Sequence, residues 1–333
     1  MLFQPAIIAL LLASFLCSAM LLAVAPFAVG LLRRWDLSSG SAGQVMLERR
    51  THLVSALVGI ALAGEAASLI LFVVNADRMA ALFTGAMCAV GTLLVNPFGF
   101  PALELKIAVF FLASCWLILD WIDRQGWDYP LIRVKYAALL ALTPVQLTAS
   151  GVLLAYFLGL RADVITSCCG SLFGGAVQTL GNSLAALPHD VSYAALIAAL
   201  AAVLACGGFV LGRGRGRILY AILAGAAFLI GLAAVTSTVS VYVYELPHHH
   251  CPFCLLKGEY GSVGYLLYLP LFIGAVAGLG VGIVGPAAAL PSLAGPAPGF
   301  AKRLVRVSMA GFFLFGAVCL WLIARSHLVL FPA

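Results

Sequence analysis

The run YELPHHHCPFCLLKGEY places His248, His249, His250, Cys251 and Cys254 within seven residues, setting half of the chain's six histidines beside its one CxxC spacing. Two chemistries use these residue types so arranged. In thiol–disulfide exchange a low-pKa thiol attacks and a second thiol within reach resolves the mixed disulfide. Here Cys251 is expected to cap a short helix opened by Pro252, with Cys254 as the resolving thiol. In metal binding, Cys251, Cys254 and one or two of His248, His249 and His250 would hold zinc or copper, with Glu245 as an oxygen ligand or outer acceptor. A third, purely structural use of the same residues is a disulfide or closed zinc staple that pins the loop. Leu255 follows Cys254, so the CxxCH pattern of covalent haem attachment is absent.

The Pro-Phe pair between the two cysteines resembles the active-site CPxC of glutaredoxin-like proteins, over four residues and without the soluble βαβ unit around them. A second dithiol, Cys168-Cys169, stands in ITSCCGSLFGG, where vicinal thiols can bind a soft metal or close a strained disulfide. The single cysteines Cys17, Cys88, Cys115, Cys206 and Cys319 lie among apolar residues and read as small buried hydrophobes.

Away from the thiols, Glu65 falls near the middle of LVGIALAGEAASLILF. A carboxylate at bilayer depth costs about 2.5–3.5 kcal/mol on insertion scales, so it should face the bundle interior, protonated or paired, and marks a candidate functional site. The segment VNPFGFPALELK at 95–106 reads either as a broken hairpin with Glu104 and Lys106 at its edge or as a tight turn. Gly274, Gly278 and Gly282, four residues apart, form a smooth helix ridge for close packing within the bundle or against a partner. Tyr242, Tyr244, Tyr260, Tyr265 and Tyr268 flank the His/Cys loop as an interfacial aromatic belt.

What must position these residues follows from composition. Of 333 residues 64% are apolar and 9% charged, with a mean hydropathy of +1.12. A soluble domain is about half apolar and a quarter charged, so a soluble enzyme, a nucleic-acid binder and a disordered chain are all excluded. Apolar stretches long enough to span a bilayer recur at about 6–32, 53–74, 79–95, 103–119, 136–159, 191–211, 218–241, 263–284 and 304–324. The first lacks the basic start of a signal peptide and is kept as a span. In lipid each must be a helix. The expected fold is therefore an all-α polytopic bundle of about nine spans (8–10), a single integral membrane domain over 1–333, with 160–190 as a loop, a re-entrant segment or an extra span.

The net charge of +6 sits in short basic clusters between spans, where it orients the chain rather than binding nucleic acid. Nine spans with an external N-terminus leave 8 Lys/Arg inside and 10 outside, and the reverse orientation gives 10 and 8; a tenth span over 164–187 gives 12 and 6. The two better arrangements both make 242–262 an extracytoplasmic loop. The sequence thus describes a multi-pass protein of a bacterial cytoplasmic (inner) membrane that handles thiol–disulfide or metal-linked redox exchange with an extracytoplasmic or membrane protein partner. The alternatives are a transporter built on Glu65 and 95–106, or a non-catalytic subunit of a larger complex. None of these patterns defines a reaction.

Overall fold

Backbone N–H and C=O groups find no partners in lipid, and the long apolar runs satisfy them within helices. The computed structural model describes residues 3–36, 39, 41–161, 163–166 and 187–328. Among these residues the helices are α1 (Pro5–Arg34), α2 (Ala42–Met79), α3 (Ala89–Leu93), α4 (Gly99–Asp123), α5 (Ile132–Leu158), α6 (His189–Arg213), α7 (Arg217–Ala234), α8 (Ser240–Tyr244), α9 (Val263–Ala287) and α10 (Pro296–Arg325). A π-helical turn, Val235–Val239, joins α7 to α8 into one rod. Among the described residues eight helices are long and apolar enough to cross a membrane. The all-α polytopic bundle is the fold.

The expected span at 79–95 is not a long helix. The chain passes from α2 through a 3-10 turn at Ala80–Leu82 to Gly85, whose φ of +86° breaks any helix, and only then enters the five-residue α3. A side chain at Gly85 would run into the Thr166 carbonyl, and the Thr166 amide donates to Thr84 O at 3.0 Å. This run is apolar because protein, not lipid, buries it: Phe83, Cys88, Ala89, Val90 and Leu93 are each under 5% exposed. The expected extra span at 164–187, and with it Cys168 and Cys169, falls almost entirely outside the described residues.

The chain divides into two compact units. The first comprises 1–76, 93–162 and 286–297, built on α1, most of α2, α4 and α5. Its core includes Leu21, Leu62, Trp116 and Tyr136. At the α4–α5 turn, Lys135 is buried between Asp123 at 2.7 Å and Asp120 at 3.2 Å, and Arg124 completes the cluster on Asp120 at 2.7 Å. The 95–98 stretch is a tight turn, the second of the two readings. Asn96 donates to Tyr156 O at 2.9 Å and accepts from the Phe98 amide at 3.0 Å before α4 begins.

The second unit comprises 77–92, 163–285 and 298–333. Gly214 and Gly216, with φ of +68° and +83°, make the sharp turn from α6 into α7. The glycine ridge of α9 packs inside this unit. Ala221 and Ala224 of α7 lie where side chains at Gly282 and Gly278 would stand, and Ser308 of α10 donates to Gly274 O at 2.7 Å. Small residues let backbones approach closely, which is how helices adhere where lipid is as apolar as leucine.

Candidate functional site

Three thiols meet in the second unit. The Sγ atoms of Cys88, Cys251 and Cys254 lie within 4.8 Å of one another, and Cys88 and Cys251 approach to 3.7 Å. All three thiols are buried, with exposures of 0%, 0% and 5%. Cys88 comes from the short apolar run between Gly85 and α3, which sequence reasoning takes for a span with an inert cysteine. Only its proximity in space to a motif 163 residues away reveals it. No local pattern carries that signal.

The loop holding Cys251 and Cys254 is fixed by its backbone. Tyr244 at the end of α8 donates its hydroxyl to Cys251 O at 2.6 Å, and Tyr268 of α9 donates to Pro252 O at 2.8 Å. These two tyrosines, expected as an interfacial belt, instead hold the thiol loop. A turn at Pro252 and Phe253 leads into a three-residue 3-10 helix, Cys254–Leu256, whose first carbonyl is taken up locally, Lys257 N donating to Cys254 O at 3.1 Å. Cys251 therefore does not cap a helix opened by Pro252.

The three histidines stand apart from the thiol group. His248 is exposed. His249 packs its ring against Tyr244 at 4.3 Å. His250 is buried, with Nδ1 3.3 Å from Thr236 O in the π-helical turn, and its ring stacks on His189 at 6.1 Å. Burial pushes its pKa below the usual imidazole value of 6.5, against the Thr236 carbonyl, which acts the other way. Among the described residues none of the three joins the group that could hold a metal. Glu245 also points elsewhere, accepting from the His327 amide at 2.8 Å and facing Ser326 at 3.4 Å.

Three buried thiols have two chemical uses. A zinc tetrahedron with Zn–S bonds of about 2.3 Å has S–S edges of about 3.8 Å. The Cys88–Cys251 separation of 3.7 Å matches such an edge. Soft thiolates select Zn²⁺ or Cu⁺ over hard cations. The same contact also brings two thiols close enough to oxidise with little movement, the third remaining within reach.

Glu65 lies in the first unit, buried to 2% exposure and paired with Lys106, whose Nζ is 2.7 Å from Oε1. Lys106 is thus an interior residue of α4 rather than the rim of a broken hairpin, while Glu104 is exposed. No protein-family profile, no curated protein and no solved structure matches this chain.

Proposed function

We propose that this chain is a multi-pass membrane protein that binds a soft metal ion, Zn²⁺ or Cu⁺, through Cys88, Cys251 and Cys254 on the extracytoplasmic face and exchanges it with a partner there. The convergence of three buried sulfurs within 4.8 Å carries this reading. Among the described residues three thiolates fill three corners of a tetrahedron, and a site that exchanges its metal takes an incoming ligand at the fourth.

The basic residues support the side. If each of the eight long helices crosses once, Arg33, Arg34, Arg49 and Arg50, then Arg124, Arg133 and Lys135, then Arg213, Arg215 and Arg217, then Lys302, Arg303 and Arg306 fall on one side. Of the remaining five, Arg78, Arg161, Lys257 and Arg325 fall on the other, and Lys106 is buried within α4. Thirteen against four makes the first side cytoplasmic and the loops of Cys88 and Cys251 external. Within the second unit, Thr84 to Thr166, Cys88 to Cys251 and His189 to His250 contacts all gather at one end. Both described flanks of 167–186 are therefore at the thiol end, in keeping with this count. We assign the protein to a bacterial cytoplasmic membrane, whose outer side is oxidising.

A second reading, thiol–disulfide exchange by the same residues, is favoured by the Cys88–Cys251 contact itself. One set of measurements tests both. Purified full-length protein loaded with Zn²⁺ or Cu⁺ and desalted should retain one equivalent of metal by mass spectrometry, and its thiols should label only after a chelator. Cys88→Ser and Cys251→Ser should lose the metal, whereas replacement of His248, His249 and His250 by alanine should keep it. Retention of metal in Cys88→Ser would overturn the three-thiolate site. Labelling that needs reductant rather than chelator would replace metal exchange by the disulfide reading.

A further inference from the structure

In the first unit four helices converge on one buried polar site. Lys106 Nζ donates to Glu65 Oε1 and to Ser68 Oγ, each at 2.7 Å, and Ser68 Oγ donates in turn to Glu65 O at 2.6 Å. Ser14 Oγ of α1 donates to Glu65 Oε1 at 3.3 Å. From α5, Gln146 Nε2 reaches Ser14 O at 3.3 Å and Ser14 Oγ at 3.4 Å. Donation to a carbonyl fixes which end of the amide is nitrogen.

Two acceptors in this site have no donor. Glu65 Oε2 and Gln146 Oε1 are fully buried and without a hydrogen-bond partner among the described residues, although both side chains rest on the same Ser14 hydroxyl. Buried acceptors are almost always satisfied, so two together mark a missing donor. A metal cation is a poor candidate, because the Lys106 ammonium already occupies the other carboxylate oxygen and Ser68. A proton on Oε2 turns this orphan acceptor into a donor.

We propose that Glu65 is a proton-binding site, which alternates between a carboxylate paired with Lys106 and a carboxylic acid, and that protons reach it through a relay of serine hydroxyls. The relay is continuous: Ser14 Oγ lies 2.9 Å from Ser150 Oγ, which lies 2.7 Å from Ser18 Oγ, one turn along α1. Each hydroxyl accepts a proton on a lone pair and releases its own to the next. The step is Glu65–COO⁻ + H⁺ → Glu65–COOH, the proton handed along the relay from its Ser18 end, while Lys106 keeps its three protons. Rotation about the last bond of Glu65 carries the proton to the orphan oxygen, a torsion with a broad, two-fold profile. Besides Lys106, the Cys17 thiol of α1 is an ionisable group facing Glu65. From α5 the neighbours named here, Gln146 and Ser150, are uncharged. The site is independent of the thiol chemistry and would give the chain a proton-linked activity.

Infrared difference spectra of the full-length protein in lipid vesicles, recorded between acid and alkaline pH, test this. The protonated carboxyl C=O band is expected to disappear on alkalinisation, to be absent at every pH in Glu65→Gln, and to shift in Ser14→Ala. Ser150→Ala should keep the band but slow its response to a pH jump by about a hundredfold or more, as loss of a proton-transfer partner does. Should Glu65→Gln fail to assemble, the shift in Ser14→Ala and in Gln146→Leu decides. A wild-type spectrum with no pH-dependent carboxyl band, or a band unmoved by these variants, would overturn the proposal and leave the pair as a structural contact.

Discussion

Cys251 carries two relations of different origin. Its neighbour in sequence, Cys254, is fixed by a turn and visible as a CxxC, whereas its neighbour in space, Cys88, is joined to it only by the fold. That is why the local half of the site is legible in the sequence and the third thiol is not: a lone cysteine in an apolar run looks the same whether it packs against lipid or against another sulfur. The histidines mislead for the converse reason. Adjacent positions in an irregular loop point in different directions, so His248, His249 and His250 separate to solvent, to Tyr244 and to Thr236. The hydrogen bond from Tyr244 to the Cys251 carbonyl makes this tyrosine a positioning residue for the thiol group. Outer partners of a metal site typically contribute about 10–100-fold in affinity. Tyr244→Phe should therefore weaken Zn²⁺ binding in a competition titration by roughly that range.

At the scale of elements, hydropathy identifies all eight long helices, because each must bury its own backbone and shield it with apolar side chains. It fails at 79–95, since burial by protein and burial by lipid select the same residues. Two contacts decide how neighbouring helices hold together. Gly278 of α9 sits where a Cβ would overlap that of Ala224 on α7. Gly278→Ala should lower stability by about 1–3 kcal/mol, the usual effect of overpacking. Ala224→Gly in the same chain should restore much of it, read by thermal unfolding in detergent. The α4–α5 turn depends on charge instead. Lys135 is buried to 1% exposure between two acids, so Lys135→Met would strand Asp123, itself fully buried. Breaking such a pair from one side costs about 3–5 kcal/mol, and Asp123→Asn added to Lys135→Met should recover a large part of the melting temperature.

For the whole molecule, the orientation turns on one short segment. Counted as a span, 79–95 reverses every later connection and scatters the basic clusters almost evenly over the two sides. Counted as the turn and short helix that it is, it puts thirteen Lys/Arg on one side and four on the other. Lysine and arginine near span ends resist translocation, and an asymmetry of this size supports the proposed direction of insertion. A chain so oriented exposes the connection at Gly214–Gly216 to the cytoplasm and the 245–262 loop to the exterior. A single reporter cysteine at Gly258, in a chain whose native cysteines are replaced, should react with a membrane-impermeant maleimide added to intact cells. One at Arg215 should react only after the cells are opened. The reverse pattern would put the three thiols in the reducing cytosol, where an exchange partner from the exterior has no access to them. Metal traffic through Cys88, Cys251 and Cys254 would then have to begin inside the cell.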